Sequence, residues 1–219
     1  MPLTSQASPR CSLYLVTPLL SAADANAFVK IFAEALRAAP IACALVRLSA
    51  DAQRNAEAAL ARFVRVAQDA DCALLIENDV QLAARLGADG SHVAGAGQDL
   101  AAAIERLKPE RIVGAGSLRT RDDAMTAGEM GADYVMFGEP QRGERAMDLT
   151  SLTERVAWWA EIFETPCVVY ADTIEAAAEL AASGADFVAL GEAIWGSPSP
   201  AAAACEAQAL ISVAGVTIP

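Results

Sequence analysis

Short apolar runs alternate with longer amphipathic stretches along almost the whole chain. The apolar runs predict eight buried β-strands, at residues 13–16, 41–47, 72–76, 90–93, 111–115, 134–137, 167–170 and 187–190. The runs are continuous rather than alternating, which is typical of a parallel sheet covered by helices. The stretches between and after them predict helices, at residues 24–38, 52–68, 80–86, 99–107, 121–130, 149–162, 174–182 and 200–213.

The tripeptide Gly-Ala-Asp occurs three times, at residues 87–89, 131–133 and 184–186, each time between a predicted helix and a predicted strand. A glycine just past a helix can take the left-handed conformation that closes it, and a polar residue can then turn the chain into the next strand. Eight strand–helix units in 219 residues favour a closed barrel over an open sheet. We therefore predict an α/β fold, a (β/α)8 TIM barrel with eight parallel strands, as a single domain over residues 12–219 after a flexible N-terminus at 1–11.

Composition and charge restrict the function classes. The formal net charge of −12 argues against nucleic-acid binding, which requires clustered Lys and Arg. No apolar run approaches the length of about 20 residues that a membrane-spanning helix needs, and residues 1–10 are polar, without the apolar segment of a signal peptide. We expect a cytoplasmic protein that contacts neither nucleic acid nor membrane. Trp158 and Trp159 cannot both face inward from one helix, which suggests a homo-oligomer contact.

Polar side chains follow the predicted strands at the end where such barrels build their sites. Asp79 and Asp99 follow adjacent strands, and two carboxylates placed so can share Mg²⁺ with phosphate and water oxygens. Asn78, Arg47 and Ser117 would then donate hydrogen bonds to the same phosphates. The alternative is that Asp79 and Asp99 each cap the helix that follows them.

His92 is the only histidine of the chain and lies in the fourth predicted strand. An isolated histidine in a strand is more often a packed, hydrogen-bonded group than a catalyst. The loop that follows, AGAGQD at residues 94–99, is too weak a pattern to be called a phosphate-binding motif on its own.

These residues, in this order, resemble the thiamine phosphate synthase family, including its thiazole tautomerase branch. The resemblance covers residues 12–212, and its most specific part is the Asn-Asp pair, the GADG-x-H-V segment and the downstream aspartate. It rests on LYLVT at 13–17, ENDVQLAARLGADGSHV at 77–93, QDL at 98–100, GADYVMFG at 131–138 and GADFVALGEAI at 184–194.

The resemblance implies a reaction and a set of residues. The family couples an aminopyrimidine diphosphate to a thiazole phosphate, which gives thiamine phosphate and pyrophosphate. Asp79 and Asp99 match its magnesium ligands, whereas the residues that match its diphosphate-binding and catalytic positions are Arg47, Asn78, His92 and Ser117. Mg²⁺ and Arg47 would stabilise the leaving pyrophosphate, and the thiazole nitrogen would attack the methylene carbon without a side-chain nucleophile.

Two lysines of the family pattern are absent. The family's Gln-x-Arg-x-Lys on the second strand reads Leu45-Val46-Arg47-Leu48-Ser49, which lacks the glutamine and the lysine. The Thr-x-Thr-Lys loop after the sixth strand is replaced by GEPQRGER at 138–145. The candidate replacements for its lysine are Arg142, Arg145 and Arg119.

The site expected for the thiazole phosphate is also altered. The family's Gly-Gly turn after the seventh strand becomes Ala171-Asp172, and Glu192 occupies a later serine position, so that two carboxylates replace groups that hold phosphate. We therefore keep open a non-catalytic or re-specialised relative, including one whose acceptor carries no phosphate. Tautomerase activity is not expected, because Arg119 lies near the position of the proton-shuttling histidine and a guanidinium cannot act as a general base.

Overall fold

Eight parallel strands close into a barrel in the computed structural model, which describes residues 11–55, 57–140 and 147–214. Each strand pairs with the next, and β1 pairs with both β2 and β8. The strands are β1 (Ser12–Leu20), β2 (Cys43–Leu48), β3 (Ala73–Glu77), β4 (Gly90–Ala94), β5 (Ile112–Gly116), β6 (Tyr134–Phe137), β7 (Cys167–Ala171) and β8 (Phe187–Leu190). The predicted eight-stranded parallel TIM barrel is confirmed.

Helices cover the outer face of the sheet between successive strands. They are α1 (Ala22–Ala38), α2 (Ala50–Asn55), α3 (Glu57–Gln68), α4 (Val80–Leu86), α5 (Gln98–Leu107), α6 (Arg121–Glu129), α7 (Leu149–Ile162), α8 (Ile174–Ala182), α9 (Glu192–Trp195) and α10 (Pro200–Ala214). The single helix predicted at 52–68 is described as α2 and α3, with position 56 outside the described residues. The short α9 was not predicted.

The predicted N-terminal boundary needs one correction. Residues 1–10 of the predicted flexible N-terminus lie outside the described part of the chain. Cys11 is described, and it is buried, with 3% of its surface exposed. It therefore belongs to the core of the barrel rather than to a flexible segment. Within the described ranges no helix is long and apolar enough to cross a membrane; the cytoplasmic location stays a prediction.

The three Gly-Ala-Asp repeats build the same turn three times. Their glycines have positive φ angles, 72° at Gly87, 94° at Gly131 and 102° at Gly184. Each aspartate accepts a hydrogen bond of 2.8 Å from a backbone N–H of the preceding strand: Asp89 from Leu74, Asp133 from Val113 and Asp186 from Cys167. The aspartate therefore ties each even-numbered strand to its odd-numbered neighbour, in addition to turning the chain.

Two separate layers of apolar side chains hold the barrel together. The larger layer lies between the sheet and the helices, and the smaller one fills the interior of the barrel. The interior layer includes three tyrosines, Tyr14, Tyr134 and Tyr170, whose hydroxyl groups need partners where no bulk water reaches. Those partners lead to the candidate site.

The tryptophan pair lies on α7, and each ring has partners within the chain. Trp159 is 1% exposed and donates from Nε1 to the carbonyl oxygen of Thr165 at 2.7 Å. The ring of Trp158 lies under the guanidinium of Arg121, 4.5 Å from the ring centre, and contacts Phe163. Contacts within the chain thus cover part of the Trp158 ring. The homo-oligomer stays a prediction.

Candidate active site

A groove of about 900 Å³ runs between α4 and α5 and reaches the ends of β3 and β4. Its lining includes Asn78, Asp79 and Asp99, and further along α5 it includes Glu105 and Arg106. Oδ1 of Asp79 accepts the backbone N–H of Leu82 at 2.9 Å, so this side chain does cap α4. The alternative role of Asp99 as the cap of α5 is wrong. The N-cap of α5 is Gly97, and Asp99 lies exposed in the first turn. The capping role and the groove are compatible, since Asp79 keeps a second carboxylate oxygen.

The chemistry of this groove fits a hard divalent cation. Carboxylate oxygens of Asp79 and Asp99 are ligands that Mg²⁺ accepts, and Mg²⁺ commonly takes one or two carboxylates plus phosphate and water. Among the described residues, no group of three or more His, Cys, Asp or Glu side chains is placed to hold a metal ion. The magnesium site therefore stays a prediction, and it requires oxygens that the protein does not supply.

Asn78 is fixed between the two strands that flank the groove. Its φ angle is 52°, a left-handed conformation that asparagine tolerates better than most residues. Its backbone N–H donates to the carbonyl of His92 at 2.8 Å, and its Oδ1 accepts the N–H of Ala94 at 2.9 Å. The side-chain NH₂ remains as the donor for a ligand.

Arg47 is held at the end of β2 by a neighbouring carboxylate. Its Nε donates to Oε1 of Glu77 at 3.2 Å, with the two side chains 30% and 22% exposed. Its backbone N–H donates to the hydroxyl of Thr17 at 3.0 Å. Because the ion pair uses Nε, the terminal nitrogens of the guanidinium remain for an anion. Glu77 was not among the predicted site residues.

The two carboxylates predicted to disturb the thiazole-phosphate end lie around Tyr170. Burial raises the pKa of Tyr170, and the negative charges of Asp172 and Glu192 raise it further. A hydrogen bond from the backbone of Glu192 and the positive charge of Arg47 oppose this increase. These groups therefore share one electrostatic environment at the mouth of the barrel. Asp172 and Glu192 are both exposed, so water weakens their repulsion of a phosphate.

His92 is buried in a line of hydrogen bonds that crosses the barrel interior. It is 2% exposed, with Nδ1 2.7 Å from the hydroxyl of Tyr134 and Nε2 3.0 Å from Oε1 of Glu139. The hydroxyl of Tyr134 lies 3.0 Å from that of Tyr14. The interpretation of His92 as a packed, hydrogen-bonded group is therefore correct, but its partner Glu139 lies at the mouth.

Ser117, predicted to bind the diphosphate, is engaged through its backbone. Its φ angle is 54°, and its N–H donates to Oε2 of Glu139. Burial of Glu139 opposes its ionisation, but the imidazole of His92, the Ser117 N–H and the charge of Arg47 outweigh burial and lower the pKa of the carboxyl group. Of the Ser117 donors, only the hydroxyl therefore remains for a phosphate.

Glu139 was missed because it belongs to the segment interpreted as a loop that had lost a lysine. A signal was present in the Gly-Ala-Gly of β5. His92, Gly114 and Tyr134 lie in one row across β4, β5 and β6. A side chain at Gly114 would overlap the ring of Tyr134, and one at Gly116 would overlap both His92 and Glu139.

The remaining arginine candidates are less closely tied to the groove. Arg119 is exposed, its N–H donates to Asp123 at 3.1 Å, and its carbonyl accepts from Arg155 at 3.2 Å. Its predicted role in substrate binding stays a prediction. The other proposed replacements for the family lysine, Arg142 and Arg145, lie outside the described residues.

Comparisons with known proteins agree on one family. The family model of thiamine monophosphate synthase matches residues 13–194. Among its relatives, the thiamine-phosphate synthase of Rhodospirillum centenum is 38% identical over 197 residues, covering 89% of this chain and 94% of that protein. The thiamine-phosphate synthase of Hyphomonas neptunium is 35% identical over 212 residues, covering 93% of this chain and 95% of that protein.

Solved structures support the same fold. A thiamine phosphate pyrophosphorylase from Pyrococcus furiosus superimposes with a TM-score of 0.79 at 20% identity, covering 94% of this chain and 98% of that one. A 3-hexulose-6-phosphate synthase gives a TM-score of 0.69 at 18% identity, covering 91% and 99%. At these identities the likeness shows the barrel alone.

Proposed function

The chain belongs to the thiamine monophosphate synthase family, and on that premise we propose that it couples an aminopyrimidine diphosphate to a thiazole phosphate and releases pyrophosphate. The observation that carries the proposal is that Asn78, Asp79 and Asp99 line one groove. The groove offers one amide donor and one carboxylate just after β3 and a second carboxylate in the first turn of α5. A diphosphate bound through a divalent cation needs this combination.

Asp79 and Asp99 would hold Mg²⁺, which when bound supplies positive charge to the leaving pyrophosphate. Asn78 would donate from its NH₂ group, and Arg47 from its terminal nitrogens, while Glu77 keeps the guanidinium in place at 3.2 Å. The hydroxyl of Ser117 is a further donor. As the bond between the methylene carbon and the phosphate oxygen breaks, these donors receive the negative charge. The thiazole nitrogen forms the new bond to carbon.

The acceptor end has fewer cationic groups than the family pattern predicts. Ala171 and Asp172 stand in place of a Gly-Gly turn, Glu192 stands in place of a serine, and both carboxylates lie exposed near Tyr170. We therefore expect weak use of the acceptor phosphate, so that the thiazole alcohol without phosphate competes better than in family members that keep the Gly-Gly turn and the serine. The alternative of a non-catalytic or re-specialised relative is less favoured, because the similarity to synthases extends over 89% of the chain.

Growth of a thiamine-requiring bacterial strain that lacks its own synthase tests the proposal. The wild-type gene should restore growth without added thiamine, and a gene carrying Asp79→Asn should not. Asparagine is as good an N-cap as aspartate, so this variant removes the charge while it keeps α4 capped. If the wild-type protein accumulates to normal levels and growth still requires thiamine, the proposed coupling reaction is wrong.

A further inference from the structure

The carboxylate of Glu139 is held at the mouth of the barrel by donors from two strands. Oε1 lies 3.0 Å from Nε2 of His92, at the end of β4, and Oε2 accepts the backbone N–H of Ser117, just after β5. The side chain of Glu139 is 15% exposed, whereas that of His92 is 2% exposed. The carboxylate is therefore the end of this hydrogen-bonded line that a ligand can reach.

The interior of the barrel fixes the direction of the hydrogen bonds. An ionised carboxylate only accepts, so Nε2 of His92 donates to Glu139. When the imidazole is neutral, Nδ1 then accepts from the hydroxyl of Tyr134. The oxygen of Tyr134 in turn accepts from Tyr14. Burial raises the pKa of both tyrosines, so both keep their protons. Every link has one donor and one acceptor, and no further group is needed to orient Glu139.

Glu139 retains capacity for a ligand. An ionised carboxylate offers about four acceptor positions, of which His92 and Ser117 use two. Within the described residues its ion-pair partner is His92, and no lysine or arginine nitrogen lies within 4.0 Å of its oxygens. Among the described residues, a donor brought by a ligand would therefore displace no lysine or arginine from Glu139.

The surrounding charges indicate what kind of ligand group fits. The guanidinium of Arg47 already has Glu77 as a partner, and the carboxylates of Asp172 and Glu192 act on the same mouth through Tyr170. The carboxylate of Glu139 is itself a negative charge that no lysine or arginine of the described residues pairs within 4.0 Å. A phosphate next to Glu139 would be repelled, whereas an N–H-bearing, electron-poor ring would be attracted.

We propose that Glu139 is a substrate-binding residue, whose carboxylate accepts an N–H from the amino group of the pyrimidine ring while the diphosphate extends towards Asp79 and Asp99. This inference rests on the proposed function, because it takes the aminopyrimidine as the substrate. In this arrangement Glu139 distinguishes rings that carry the amino group from rings that lack it, whereas the groups of the groove bind the diphosphate.

Glu139→Gln is the variant that tests this inference. A glutamine can accept from Ser117 and donate to Nε2 of His92 once the imidazole moves its proton to Nδ1 and Tyr134 donates to Tyr14 instead of to His92. The internal line then survives while the negative charge is lost. Glu129→Gln is the matched control, because Glu129 is exposed at the far end of α6 and loses the same charge. Thermal unfolding should give similar midpoints for all three proteins.

The measurement is calorimetric titration with two neutral rings, the aminopyrimidine alcohol and the same alcohol with hydrogen in place of the amino group. We expect the wild type and Glu129→Gln to bind the amino ring more tightly, by on the order of ten- to a hundredfold. In Glu139→Gln this preference should shrink to a few-fold or less, while binding of pyrophosphate with Mg²⁺ should be unchanged or tighter.

Equal affinity of the wild type for the two rings, or no binding of either, would overturn the inference, even if Glu139→Gln fails to fold. An undiminished preference in Glu139→Gln would overturn it as well. The proposed function is tested separately: a wild type that restores growth but ignores the amino group retains the function and loses the role of Glu139. A wild type that prefers the amino ring but couples nothing retains the role and loses the function.

Discussion

At the scale of single residues, the candidate site is built from side chains that already have one partner inside the protein. Asp79 uses one carboxylate oxygen to cap α4, Asn78 uses its amide oxygen to hold a backbone N–H after β4, and Arg47 uses Nε on a neighbouring glutamate. Each keeps another polar atom for a ligand. Because the internal bond fixes the side chain, little conformational entropy remains to be lost when a ligand binds.

The buried hydroxyl of Tyr134 provides a prediction at this scale. Tyr134→Phe leaves Nδ1 of buried His92 without a partner and removes the acceptor of Tyr14. An unsatisfied buried polar group costs roughly 1–3 kcal/mol, so we expect the free energy of unfolding to fall by about that amount in urea denaturation. Tyr14→Phe removes only the hydrogen bond between Tyr14 and Tyr134 and should therefore lower the free energy of unfolding by less. If Tyr134→Phe unfolds at the wild-type urea concentration, the line of hydrogen bonds is not intact in solution.

The residue types in the sequence predicted the side chains that line the groove better than they predicted the hydrogen-bonded line through His92. The Asn-Asp pair and the downstream aspartate are recognisable because they follow strands in a barrel. Their capping and groove-lining roles, however, cannot be separated by sequence, since one carboxylate performs both at Asp79. Glu139 was missed for a different reason. Its role depends on His92 and Tyr134, which lie far from it in sequence and reach it only through the strand register.

At the scale of secondary-structure elements, β5 brings β4 and β6 together by carrying almost no side chains on its inner face. Gly114 leaves room for the ring of Tyr134, and Gly116 leaves room for His92 and Glu139. The same strand is followed by Ser117, whose left-handed backbone turns its N–H to Glu139. A strand of small residues is therefore the spacer on which the arrangement of the mouth depends.

Gly116→Ala tests this spacer role. The new methyl group would overlap both His92 and Glu139, and such overpacking costs about 1–3 kcal/mol. We expect a lower melting temperature and weaker binding of the aminopyrimidine alcohol. Gly128→Ala in α6 is the control, because its methyl group would meet no atom closer than 3.5 Å. Gly128 lies in the last turn of α6, so we expect its replacement to leave the melting temperature unchanged or slightly higher. Equal melting temperatures for the two variants would contradict the spacer role.

Boundaries of elements were predicted where a chemical signal marks them. The helix predicted to start at Val80 does start there, with Asp79 as its N-cap, and the Gly-Ala-Asp turns marked where strands begin. The short α9 was not predicted, since its four residues follow β8 directly and contain no apolar period. Its Trp195 donates to the carbonyl of Val16 at 2.7 Å, a contact across the closure of the barrel that only the fold creates.

At the scale of the whole molecule, closure of the barrel brings the ends of distant strands to one mouth. Arg47, Asp79 and Ser117 lie 32 and 38 residues apart along the chain, and parallel pairing of β2 to β5 brings the ends of their strands to one rim. Continuous apolar runs and repeated turns made this architecture predictable from sequence. The balance of charges at the mouth could not be predicted from sequence. Glu77 and Glu139 belong to it because the fold places them against Arg47 and against His92 and Ser117.

The central claim is that the groove binds the diphosphate through a divalent cation held by Asp79 and Asp99. The most direct test follows thiamine phosphate formation by the purified protein from the aminopyrimidine diphosphate and thiazole phosphate, with Mg²⁺ and with chelator. The wild type should form product and pyrophosphate in equal amounts only with Mg²⁺, and Asp79→Asn and Asp99→Asn should each lower kcat/KM by roughly a hundredfold or more, without loss of fold. Wild-type turnover that persists in chelator, or that survives both substitutions, would contradict it.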